Sequence, residues 1–387
     1  MNDAQNKAGG KADVGLLAAG HFLGDVYGSL LVTLMPVWVS LFDLSFSAAG
    51  FLVFLRSAGM TFFEPVCGHL ADTTRRQIFP LGLLLAAVTM SALGLVPSYA
   101  ALLLLVFVST VGSSIFGPQA VTTARRSSGS FRGLGVAIFL AGGSLGAAVG
   151  PISVATLVDR LGIRSTWLLV LPGLLLAIVL SKRFAPRAVD PNPAKSAVDV
   201  RVLLRSRPVL ALAGVLLLRG AAETGILAFL PILVEQKGGT LITAGATLSV
   251  FKLSGAVGAI VAGFLSDRWT GKPLMLVSFL LSVVFLYGFV QVDGTVALIL
   301  IALLGGALLS SSAYTMVVAQ DLLPGRHSTA AGLFWSISLL GGGLGALVEG
   351  FLADGFGVET ALLLLGVPLP LAAAALTLGI RDRFPAG

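Results

Sequence analysis

The sequence predicts an all-α membrane protein: twelve transmembrane helices in two pseudo-symmetric six-helix bundles, with both termini cytoplasmic. Three observations carry this. Of 387 residues, 56% are hydrophobic and only 11% charged, against about 25% charged in a soluble domain. Apolar runs of roughly 18 residues or more recur along the chain, and in a bilayer such a run satisfies its backbone only as a helix. Stretches of the first half also return in the second. The composition excludes a soluble enzyme, a secreted disulfide scaffold and a disordered regulator. The single cysteine, Cys67, cannot form an internal disulfide and reads as a small buried hydrophobe.

Breaking the chain at charge clusters, Gly/Pro turns and polar dipeptides gives spans at 15-41, 46-70, 78-97, 99-120, 133-157, 165-181, 208-234, 241-265, 274-291, 295-319, 329-352 and 358-379. The polar interval 182-207 holds Pro186, Pro191 and Pro193 and reads as a cytoplasmic linker. It divides the chain into an N-terminal tail, 1-14, a first bundle, 15-181, a second bundle, 208-380, and a tail, 381-387. The first apolar run is too long for a secretory core region, so no signal peptide is needed.

The basic residues set the sidedness. Nineteen of the 25 fall in loops and tails on the side of the termini, and Arg160, Arg164 and Lys237 on the other. Because the surplus follows topology, the net charge of +7 needs no nucleic-acid partner. The remaining three, Arg56, Arg219 and Lys252, lie inside spans.

The halves repeat. Gly68-His-Leu-Ala-Asp72 returns as Gly263-Phe-Leu-Ser-Asp267, Gly142-Gly-Ser-Leu-Gly-Ala as Gly341-Gly-Gly-Leu-Gly-Ala, and Met35-Pro36 as Leu230-Pro231. Duplicated halves around a midplane site are the architecture of alternating-access transporters. Gly68 to Asp72 with Arg75 and Arg76 resembles the signature loop between helices 2 and 3 of the major facilitator superfamily. Thr73 and Thr74 stand where the family usually has Arg and Gly; the second copy keeps Arg268 after Asp267. The resemblance implies the major facilitator fold, with Asp72, Arg75, Arg76, Asp267 and Arg268 as latches between helix ends. Gly112 to Gln119, the stretch from Ala319 through Arg326 to Asp354, and His21 to Tyr27 resemble the fosmidomycin-resistance, drug–proton antiporter branch. That branch commonly has His and Glu flanking the proline of helix 4. Here Gly117 and Gln119 stand there, so no role of those ionisable groups carries over. The resemblance implies a multi-pass plasma-membrane transporter that exports its solute.

An ionisable side chain at a helix centre costs about 2.5–3.5 kcal/mol on insertion scales, so each one is a functional candidate. His21 and Asp25 lie four apart in span 1, and Arg219 and Glu223 four apart in span 7, each pair on one helical face. Arg56 in span 2 and Lys252 in span 8 complete a pattern in which each half offers a carboxylate and a cation. Desolvation and a nearby cation shift a carboxylate's proton affinity in opposite directions, so Asp25, Glu223, His21 and Arg219 are the expected proton-coupling groups. Arg56 and Lys252 suit the carboxylate or phosphonate of an anionic or zwitterionic solute. Tyr27, Phe22, Gln119, Phe229, Tyr314 and Trp335 are expected to line its site. Glu64 and Glu349, read as lying in the cytoplasmic halves of their spans, are gating candidates. Gly142, Gly146 and Gly150, followed by Pro151, allow a close helix contact.

Three scattered histidines, with no nucleophile–base pair, argue against an enzyme, a metal or a cofactor. The expected partners are a small-molecule solute, protons and lipid, with a monomer as the working unit. Two readings stay open beside export: proton-coupled uptake of an organic anion, and a non-transporting sensor or scaffold.

Overall fold

The computed structural model describes residues 2–73, 77–129, 131–184, 206–266, 271–322 and 327–380, and the described residues are helical apart from short turns. Among the described residues, eleven helices are long and apolar enough to cross a membrane, and Phe79–Leu95 is a shorter apolar one. Residues 185–205 of the linker and the final tail, with Arg75, Arg76, Asp267, Arg268 and the side chain of Asp72, fall outside the described residues.

The first expected span is built from α1 (Asn2–Thr33) and α2 (Met35–Phe42). The break between them precedes Pro36, which has no N–H to continue the ladder. Then come α3 (Phe46–Thr73), α4 (Phe79–Ser91) with a 3-10 turn at Ala92–Leu95, α5 (Tyr99–Ser127) and α6 (Arg132–Leu161). A 3-10 stretch at Ile163–Leu169 leads into α7 (Val170–Arg183). The second half holds α8 (Arg207–Gln236), α9 (Leu241–Ser266), α10 (Gly271–Gln291), α11 (Gly294–Leu322) and α12 (His327–Phe356). The last crossing is α13 (Val358–Gly366) and α14 (Pro368–Leu378), again interrupted before a proline.

The chain forms two compact units. One is Met1–Leu34 with Gly59–Lys195, the other Met35–Ala58 with Ser196–Gly387. In the first, Arg183 grips Asp13 through two parallel bonds, Nε to Oδ1 at 2.7 Å and Nη2 to Oδ2 at 3.2 Å. This ties the N-terminal part of α1 to the end of α7.

In the second unit the opening turns of α3 pack against α12. Asp354 accepts from the backbone N–H of Phe46 at 2.6 Å and of Ser47 at 3.0 Å, capping donors that the helix start leaves without partners. A Cβ on Gly50 or Gly350 would overlap the Ala346 or Phe46 carbonyl across that contact.

Candidate functional site

Two small-residue seams position the charged groups. In the first unit α1 lies along α6: a Cβ on Gly142 would overlap the Ala18 carbonyl, one on Gly146 the Phe22 carbonyl, and one on Gly150 would come within 3.1 Å of Val26 Cα. In the second unit α8 lies along α12 in the same manner, with Gly341 on the Leu217 carbonyl and Gly345 on the Ala221 carbonyl. Both members of each contact are displaced by 199 positions, so the seam fixes the register of the repeat.

In that register Asp25 and Glu223 do not correspond. The seam pairs Asp25 with Thr224: Gly143 stands under the His21 ring and Asp25, and its counterpart Gly342 stands under the Thr224 hydroxyl. Glu223 is one residue earlier, turned about 100° around its helix. Equal spacing within each pair hides this offset, because an i,i+4 pattern has the same form at any phase. Gly143 was no candidate from sequence, although the doublet Gly142-Gly143 and its repeat were the available signal.

The two pairs accordingly have different surroundings. His21 Nδ1 meets the Phe139 carbonyl at 2.9 Å and must donate to it, since a carbonyl oxygen only accepts. The imidazole stacks on the Phe139 ring at 4.3 Å, which leaves Nε2 facing Asp25 Oδ2 at 3.6 Å. The Asp25 side chain keeps 41% exposure. This is a dyad held at one edge by α6 and open at the other.

Glu223 is enclosed. Its Oε2 accepts from Arg219 Nη2 at 2.9 Å and its Oε1 from Lys252 Nζ of α9 at 3.0 Å. Arg219 also reaches Ser338 Oγ on α12 at 3.4 Å. One carboxylate thus holds two cations, one per oxygen, and the cluster carries an excess positive charge. Arg219, Ser338, Ser312, Thr315 and Trp335 border a largely apolar cleft of about 150 Å³. Trp335 is 56% exposed. Arg56 and Glu64 are partly buried on α3, and Phe22 is partly buried on α1.

Four side chains expected to line a solute site are instead held in packing. Tyr27 donates its hydroxyl to the Leu169 carbonyl at 2.8 Å and is buried. Gln119 Oε1 accepts from the N–H of Ile78 and of Phe79, each at 2.7 Å, so it caps the start of α4. Phe229 is buried edge-on to Phe46, and Tyr314 is buried beside Gly271. Glu349 lies seven residues before the end of α12, away from the loop of Arg326 where that span begins. With the expected sidedness, that is the half of the span away from the cytoplasm, not the cytoplasmic half. Pro151 sits within α6 directly after Gly150. Among the described residues no group of three or more His, Cys, Asp or Glu is placed to hold a metal ion.

Comparison with known proteins bears on what such a site serves. The model of the Major Facilitator Superfamily matches residues 17–346. The Fosmidomycin resistance protein of Escherichia coli (strain K12) is 29% identical over 358 residues, covering 89% of this chain and 87% of that protein. The multi-drug resistance efflux pump PmrA of Streptococcus pneumoniae is 30% identical over 172 residues, 43% of each chain. Among solved structures, a bacterial homolog of the human lysosomal transporter Spinster, in an inward-facing and occupied conformation, matches with a TM-score of 0.83. Its identity is 16%, and the match covers 97% of this chain and 98% of that one.

Proposed function

This chain belongs to the Major Facilitator Superfamily, and from that premise we propose that it is a proton-coupled secondary transporter. It exports a small anionic or zwitterionic organic solute across the plasma membrane by alternating access, and it works as a monomer. The observation that carries this reading is the triad of Glu223, Arg219 and Lys252. A proton added to Glu223 removes the charge that holds both cations, and a cation so released is a partner for a carboxylate or phosphonate. Proton binding and anion binding are thereby linked through one side chain. The His21–Asp25 dyad offers a second place where a proton moves between an imidazole nitrogen and a carboxylate oxygen. Arg56 is assigned to the solute's anionic end, and Phe22 and Trp335 to its apolar part. The described Glu64, with the charged groups of the signature loops, is assigned to gating.

Export is supported by the likeness to a resistance protein and to an efflux pump. The membrane potential assists it, contributing about 2.3 kcal/mol per charge per 100 mV toward expelling an anion. A second reading, proton-coupled uptake of an organic anion, is favoured by the triad itself, since protonation that frees a cation promotes binding of proton and anion together.

The test is reconstitution into vesicles with an imposed pH gradient, using fosmidomycin as first probe and then a panel of organic anions and cations. Solute-dependent proton flux, lowered at least about tenfold in Lys252→Gln, is the expected result. Flux of solute and proton in the same direction would select the uptake reading. Binding with no flux would replace transport by sensing.

A further inference from the structure

The α8–α12 seam copies the α1–α6 seam for two steps and departs from it at the third. Gly142 and Gly146 correspond to Gly341 and Gly345, but Gly150 corresponds to Glu349, and its facing residue Val26 corresponds to Gly225. The glycine has crossed the seam. Where the first half sets a valine against a glycine, the second sets a carboxyl against a glycine, and the missing side chain at Gly225 is what makes room for it. A Cβ at Gly225 would stand 3.2 Å from Glu349 Oε2, 3.3 Å from Leu365 Cδ2 and 3.6 Å from the Gly345 carbonyl oxygen.

The carboxyl so accommodated is enclosed. Glu349 is 1% exposed, and among the described residues neither oxygen has a hydrogen-bond partner. None of the described charged residues on the elements around it forms a hydrogen bond with it. On α8, Arg219 and Glu223 bond to each other, and Lys252 and Ser338 complete that cluster; Glu235 lies in the exposed last turn. On α12 itself, Asp354 receives the N–H groups of Phe46 and Ser47. On α13, Glu359 is exposed, and on the opening turns of α3 the one charged residue is Arg56. On α11, the Asp321 side chain lies outside the described residues.

A bare carboxylate without a donor is costly in such a place, whereas a carboxylic acid is a small neutral group. We propose that Glu349 is a proton-binding site, carrying its proton on one carboxyl oxygen within the α8–α12 seam. The site stands independently of the solute and of its direction of movement.

Infrared spectroscopy of the full chain in lipid tests this directly. The wild type should show the C=O stretch of a protonated carboxyl, shifted when glutamate carries ¹³C in its side-chain carboxyl. Glu349→Gln should lose that band while Glu223→Gln keeps it. Should Glu349→Gln not fold, Glu349→Asp retains an acid but takes it out of the glutamate label, so its band should no longer respond to the isotope. No label-sensitive band in the wild type, or an unchanged one in either Glu349 variant, would overturn the proposal. A band assigned to Glu349 in a protein that moves no protons in vesicles would overturn the transport reading and leave this one standing.

Discussion

A carboxylate shared by two cations responds to the loss of one partner through the other. Lys252→Ala leaves the mostly buried Glu223 with Arg219 alone, and an under-satisfied buried group costs about 1–3 kcal/mol. Removing the carboxylate alone instead leaves Arg219 and Lys252 facing each other without a counter-charge, so Lys252→Ala/Glu223→Gln should unfold at a higher temperature than Glu223→Gln. Thermal unfolding in detergent reads both; a double variant no better than Glu223→Gln would show that the pair is not coupled. At Gly143 an added methyl enters the space of the His21 ring and the Asp25 carboxylate. Gly143→Ala should therefore shift the pH profile of transport without abolishing folding, an effect visible as a displaced midpoint. Ionisable residues inside apolar runs are legible from composition alone. Their partners are not: spacing places Arg219 beside Glu223, but nothing local says that Lys252 lies on the other oxygen or that Ser338 backs the arginine.

At the level of helices the seams dominate. Over-packing a close contact costs about 1–3 kcal/mol, so Gly146→Ala and Gly345→Ala should lower the unfolding temperature. Gly133→Ala and Gly355→Ala, where nothing lies within 4 Å, should leave it unchanged or raise it slightly. Equal behaviour of the two sets would deny the seams their close contact. Asp354→Ala frees two N–H groups at the start of α3, and a loss of about 1 kcal/mol is expected. The glycine repeats are legible because close contact demands small residues at every fourth place. The work of Asp354 and Gln119 is not, since each caps a helix start through folding of distant chain. The glycine repeat already carries the offset of 199 that relates the packed backbones, whereas Asp25 and Glu223 stand 198 apart and so do not correspond.

For the molecule as a whole, hydropathy and duplication were sufficient to reach the fold, because a bilayer permits little besides helices to an apolar chain. Proline interrupted two of the expected spans without ending them. What the solute is depends on side chains converging from several helices, which periodicity does not encode. The most direct measurement is the internal pH of vesicles containing the chain while panel solutes are added on one side. The wild type should move protons only with a solute, and folded Glu223→Gln should carry that solute down its own gradient with no proton movement. Proton movement in Glu223→Gln equal to the wild type would contradict coupling through the triad.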